Sequence, residues 1–197
     1  MEMLPLTFAS AWASGINAYA TVLILGLLGR FAAMGGVPEG FQRTDVLIVM
    51  GVLALVEFVA DKIPYLDSAW DAISTVVRPI AGAVIGALMG GASGDLATIA
   101  LASIGGVTAL LSHLTKAGLR LAVNTSPEPV TNLAASVTGD LSVAGILALA
   151  LTNPVPAAIL AGVLLVLTMV LTIFLFSRVR RGWRAFRRWF AGPSPST

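Results

Sequence analysis

The sequence contains no cysteine and a single histidine among its 197 residues. Disulfides, thiolate metal sites and thiol nucleophiles are therefore excluded, and so is a metal site built from a histidine cluster. Charge is equally scarce: 12 Lys and Arg against 10 Asp and Glu, or 11% of the chain. What fills the space is apolar, with 57% hydrophobic residues and a mean hydropathy of +0.91. That is more than a soluble core can hide, and several apolar runs approach the roughly 20 residues that cross a bilayer. Long runs rich in Gly and Ala, without polar alternation, predict an all-α polytopic membrane helical bundle over an outer-membrane barrel.

No Lys or Arg precedes the first apolar run, so a cleaved secretory signal is not expected, and about Leu6 to Arg30 reads as a retained first span. Asn17 and Tyr19 lie near its middle, where an amide in hydrocarbon must find a partner, either a neighbouring helix or a polar path. A second span, about Asp45 to Lys62, ends with Glu57 and Asp61 four apart, hence on one helical face. From Pro64 to Arg78 apolar residues recur at helical spacing, and Asp67, Asp71, Ser74 and Arg78 form the opposite stripe of an amphipathic or re-entrant helix. Pro79 is expected to break that helix and to begin a short one carrying Gly82, Gly86 and Gly90 at four-residue spacing, a stripe that admits a close neighbour or a homodimer contact. From Pro79 to Gly91 the chain covers only about 20 Å, against about 30 Å of hydrocarbon.

In the following helix His113, Lys116, Arg120 and Asn124 recur at i, i+3, i+7 and i+11, a basic stripe opposite in sign to the acidic one. A helix starting near Pro129 carries Asp140 to membrane depth, and Ala157 to Phe176 makes the last span. The expected total is about six crossings with proline-interrupted short helices. GVLALVEFVADK from Gly51 and GVTALLSHLTKA from Gly106 agree at four of twelve positions, which suggests an internal parallel repeat.

Half of the basic residues, Arg178, Arg180, Arg181, Arg184, Arg187 and Arg188, lie in the tail. Residues 1–177 read as one membrane domain, 178–190 as a basic amphipathic cytoplasmic helix and 191–197 as a disordered end. With Trp183, Phe186, Trp189 and Phe190 on one face, the tail helix suits an anionic lipid surface, and nucleic acid is not expected as a partner. The positive-inside rule puts the tail, and with six crossings both termini, on the cytoplasmic side.

SGINAYAT, then EFVADKIPYLDSAWD with its following RP, then HLTKAGLRLAVNTSPEPVTN resemble the signature segments of domain-of-unknown-function family 4126. The resemblance covers most of Leu6 to Asp140 and implies a small polytopic protein of the bacterial inner membrane. It supplies no activity, substrate or catalytic residue.

Ionisable residues at membrane depth are costly and usually face a bundle interior, a water-filled cavity or one another. Joined to short interrupted helices, they lead us to expect a transporter or channel for a small ion, solute or anionic lipid. Asn17, Glu57, Asp61 and Asp140 are the candidates for a polar path or for proton or cation coupling. Arg78, His113, Lys116, Arg120 and Asn124 are candidates for an anion or headgroup, and His113 also for proton relay. Asp67 and Asp71 are expected to pair with Lys116 and Arg120 for structural reasons. The alternative is a non-transporting scaffold or interaction protein with a structural salt-bridge network. An enzyme acting on a phosphorylated lipid stands third, because Arg78-Pro79 and Asp67 with Asp71 are only fragments of known lipid-enzyme motifs. No catalytic residue, metal or cofactor is assigned.

Overall fold

The computed structural model describes residues 3–63, 66–91, 94–123 and 129–190. Helices follow in the order α1 (Met3–Ile16), α2 (Ala18–Phe31), a 3-10 turn (Glu39–Gln42), α3 (Thr44–Ala60), α4 (Leu66–Met89), α5 (Leu96–Val123), α6 (Pro129–Thr152) and α7 (Pro154–Phe190). No strand occurs among the described residues, so the all-helical bundle expected from composition is what forms.

The first departure from expectation is at Asn17, where the presumed first span divides. Its backbone is extended (φ −151°, ψ 99°), and its Oδ1 accepts from the Ala20 N–H at 2.8 Å. Its own N–H donates to Ala13 O at 2.9 Å. A short amide oxygen at this position satisfies a donor that the first turn of α2 would otherwise leave open, so Asn17 closes one helix and caps the next. The chain then doubles back: Leu6 lies against Gly36, and Met3, Leu6, Gly35 and Gly36 share one pocket with Met89, Thr152 and Pro154. Each arm has 14 residues, about 21 Å, too short for about 30 Å of hydrocarbon. A re-entrant helical hairpin therefore replaces the expected crossing. Asn17→Ala should lower stability by about 1 kcal/mol, the usual value of such a cap, read as a fall in melting temperature in detergent.

α1 forms the centre of the bundle. It packs against α4, α5, α6 and α7, and every residue from Ala9 to Gly15 is buried.

Pro79 is the second departure: it lies inside α4 and does not end it. The amphipathic segment and the short glycine-striped helix are one helix of 24 residues, about 36 Å, which removes the length problem. A helix in a bundle survives an internal proline when neighbours hold it. Here α5 runs antiparallel along α4, and the glycines set the spacing. A methyl group on Gly82 would lie 2.5 Å from Gly105 O and from Ala109 Cβ, and one on Gly86 would run into the Leu101 carbonyl. The stripe is occupied within the chain, by α5.

α3 starts beside the hairpin's return, where Arg30 Nη1 donates to Thr44 Oγ1 at 2.7 Å, and ends where Asp61 meets Arg120 of α5. α3 and α5 thus run in the same direction, as the suggested repeat requires, but in different surroundings. α5 lies along α4, α1 and α7, whereas α3 sits at the rim with Ile48, Val49, Val52, Leu55, Val56 and Val59 exposed.

Four segments, Leu66–Met89, Leu96–Ala122, Leu133–Thr152 and Pro154–Arg178, are long and apolar enough to cross a membrane. With α3, shorter at 17 residues, and the hairpin, they take the place of the six expected crossings. Met3 lies beside Pro154, and Arg178 is about 36 Å further along α7 at 1.5 Å per residue. The described ends of the chain therefore lie at opposite ends of the bundle, because the hairpin doubles back. α7 continues through the tail without a break to Phe190, with Arg178 over the Phe174 ring at 5.0 Å. The side chains of Trp183, Phe186, Trp189 and Phe190, and residues 191–197, lie outside the described set.

Candidate functional site

The hairpin tip meets a cluster of charges. α4 contributes one stripe whose first half is polar (Asp67, Asp71, Ser74, Arg78) and whose second half is small or apolar (Gly82, Ile85, Gly86, Met89), all of it buried. Its apolar stripe, with Ile73, Val76, Ile80 and Val84, is the exposed one. The amphipathic helix is inverted: its charges turn inward and its aliphatic side chains turn outward.

Arg78 is the hub. Its Nη2 donates to Glu57 Oε1 at 2.5 Å, and its Nη1 to Gly15 O at 3.2 Å and to His113 Nδ1 at 2.6 Å. Asp71 Oδ1 lies 3.5 Å from the same Nη1. Arginine can only donate, so His113 Nδ1 accepts and the ring proton sits on Nε2. That proton goes to Thr75 Oγ1 at 2.9 Å, and the Thr75 hydroxyl donates to Asp71 O at 2.9 Å. Both ring nitrogens of His113 are thus engaged, Nδ1 by Arg78 and Nε2 by Thr75.

Lys116 Nζ donates to Ile16 O and to Asp61 Oδ2, each at 2.7 Å, and lies 3.9 Å from Glu57 Oε1. Arg120 grips Asp61 with both Nη atoms at 2.9 Å, reaches Asp71 Oδ2 at 3.3 Å and places Nε 3.8 Å from Asp67 Oδ2. Two of the last carbonyls of α1, those of Gly15 and Ile16, are thus satisfied by Arg78 and Lys116. Helix C-termini carry partial negative charge, and a helix that ends inside a bundle needs such donors.

Glu57, Asp61, Asp67, Asp71, Arg78, His113 and Arg120 are all between 0 and 5% exposed. The expected pairing of Asp67 and Asp71 with Arg120 is present, while Lys116 turns to Asp61 and the hairpin tip. Arg78, Lys116 and Arg120, candidates for an anion, are each matched by carboxylates. Asn17 acts as the cap described above. Asp140 stands apart at the rim, 3.5 Å from Lys62, whose Nζ lies over the Phe58 ring at 3.1 Å. This pair is partly exposed, so Asp140→Asn should change the melting temperature by the equivalent of less than about 1 kcal/mol. Asn124 lies outside the described residues.

Gly15, Ser14 and Ser10 were not anticipated from the sequence. Ser14 and Gly15 open the SGINAYAT segment, but their small size in an apolar run gave no sign of a role. No group of His, Asp and Glu able to hold a metal occurs among the described residues. A groove of about 660 Å³ between α2, α3 and α4 and a pocket of about 270 Å³ at the Met3 end are lined by no member of the cluster.

A family model described as a domain of unknown function (DUF4126) matches residues 4–173, which include the hairpin and every charged residue of the cluster. No curated protein and no solved structure matches the chain.

Proposed function

For this chain, which belongs to the domain-of-unknown-function family DUF4126, we propose transport of a small ion or solute across the bacterial cytoplasmic membrane, coupled to a proton or cation. The observation that carries the reading is the burial of four carboxylates and two arginines, with the part-buried Lys116, around the tip of a re-entrant half-helix. Each buried ion loses several kcal/mol of hydration, and well-packed apolar residues often stabilise a fold as well as a buried ion pair does. Stability alone therefore gives no reason to keep seven charges in a membrane bundle. Half-helices that end at membrane depth against charged side chains are the usual setting of ion and substrate sites in secondary transporters.

The positive-inside rule assigns the Arg178 end, with Lys62, Arg180, Arg181 and Arg184, to the cytoplasm and the Met3 end, with Arg30 and Arg43, to the outside. The basic tail then rests on anionic lipid.

The absence of cysteine permits a direct test. Single cysteines at Ser14, Asn17 and Asp140 are exposed to water-soluble thiol reagents in membranes, and flux from proteoliposomes is followed with an internal pH dye. Transport predicts labelling at Ser14 or Asn17 and a flux abolished by Arg78→Gln. Protection of both positions together with zero flux would replace transport by the scaffold reading, which the doubly gripped Asp61 favours.

A further inference from the structure

Three hydroxyls form a strip along α1: Thr7, Ser10 and Ser14, at i, i+3 and i+7, all fully buried. At 3.6 residues per turn they lie within an arc of about 60°. Among the described residues Thr7 Oγ1 has one hydrogen bond, to Met89 Sδ at 3.6 Å, and the Oγ atoms of Ser10 and Ser14 have none. A serine inside a helix commonly bonds the carbonyl four residues back. A buried hydroxyl left without a partner costs about 1–3 kcal/mol, and alanine would fill the same space without that penalty. Two such residues on the most buried helix of the bundle call for an occupant that hydrogen-bonds them.

The strip starts at the Met3 end and stops one residue before Gly15, whose carbonyl shares the Arg78 guanidinium with Glu57. Glu57 is fully buried and its Oε2 also has no hydrogen-bond partner. Facing it are Arg78 and, through Arg78, Asp71 from α4, and Lys116 and His113 from α5. Tyr19 of α2 is within electrostatic reach, and Asp61 follows one turn later on its own element. Glu57, Asp61, Asp67 and Asp71 against Arg78, Lys116 and Arg120 leave one negative charge in excess. Asp61 is held by two cations, and Asp71, whose Oδ1 likewise lacks a hydrogen bond, has an arginine within 3.5 Å of each oxygen, whereas both cations near Glu57, Arg78 and the more distant Lys116 at 3.9 Å, lie against Oε1 and leave Oε2 bare.

We infer that the Thr7–Ser10–Ser14 strip is a proton path from the Met3 end and that Glu57 is the group that binds the proton. A proton released by hydronium at that face passes along the hydroxyls and the water they bind. An O–H bond forms at Glu57 Oε2, the carboxylate becomes a neutral acid, and the cluster goes from one excess negative charge to none. No other bond changes. The inference rests on the transport reading and deepens it by naming the coupling ion.

The test is infrared spectroscopy of the protein in lipid nanodiscs, following carboxylic-acid C=O bands after transfer from H2O to D2O. One band should vanish in Glu57→Gln and persist in Asp71→Asn. In Ser10→Ala/Ser14→Ala the band should remain while its deuterium shift slows by about tenfold or more, the rate equivalent of about one hydrogen bond lost from the path. If the double variant does not fold, Ser14→Cys, close in volume to serine, carries the same expectation. Survival of every acid band in Glu57→Gln overturns the site, and an unchanged exchange rate in the serine variants overturns the path. Neither readout needs transport: absent flux with the expected bands removes the transport reading alone, and flux without the bands removes the proton site alone.

Discussion

Arg120→Gln should destabilise the folded protein by about 3–5 kcal/mol, the range found when one partner of a buried ion pair is removed and the other remains charged. Arg120 is the single cation that touches three carboxylates, closing on Asp61 with both Nη atoms at 2.9 Å and on Asp71 at 3.3 Å, with Asp67 at 3.8 Å. Without it Asp61 keeps only Lys116, and the cluster carries two excess negative charges in place of one. Glu57→Gln moves the balance the other way, to zero, and should cost far less although Glu57 is the more deeply buried residue. The comparison is read from thermal denaturation followed by size exclusion in one detergent. Adding Asp71→Asn to Arg120→Gln should recover part of the loss. If Glu57→Gln were as damaging as Arg120→Gln, the count of an excess negative charge would be wrong.

Gly86→Val should prevent α4 and α5 from closing. A Cβ at this position meets the Leu101 carbonyl and the Ala102 Cα, which are backbone and cannot rotate away. Ordinary overpacking costs about 1–3 kcal/mol where side chains can shift; with backbone on the other side the value should lie at or above the top of that range. The expected result is loss of a monodisperse peak, with the protein recovered as aggregate. Gly145 in α6 has nothing within 4 Å of its missing Cβ, so Gly145→Ala is the matched control. It should leave the protein intact or raise its stability by about 0.5–1 kcal/mol, since alanine loses less freedom than glycine in a helix.

Much of this architecture is legible in the residues, and the failures have physical causes. Spacing alone predicted the opposed stripes of α4 and α5, because helical periodicity puts Asp67, Asp71 and Arg78 on one line and His113, Lys116 and Arg120 on another. The meeting of the two stripes follows from sign and from the glycines that let the helices approach. Pro79 misled because its local penalty is real in water but is overruled when a neighbouring helix clamps both sides of it. Asn17 misled in the opposite direction. Within SGINAYA nothing but one amide marks a break, and flanking apolar residues look the same whether a chain goes straight on or folds back. Asp140 was grouped with the acids of the cluster because depth was inferred from distance along the chain, whereas lateral position decides which side chains meet. The strip of small hydroxyls left no trace in hydropathy, since Ser and Thr in a Gly- and Ala-rich helix are nearly silent there.

The central position of α1 bears on how the protein is made. α1 is synthesised before α4, α5, α6 and α7, the helices that enclose it. Its 14 residues are too few to be held by the bilayer as a span, and Arg78 and Lys116, the partners of its last carbonyls, are synthesised about 60 and 100 residues afterwards. Contacts so distant in sequence form late, because the intervening loop must close before they gain anything. Before α4 and α5 are made, the last carbonyls of α1 lack these two donors. Assembly then runs against the order of translation, and a nascent chain stopped after Thr152 would expose the hairpin to protease that the finished protein withstands.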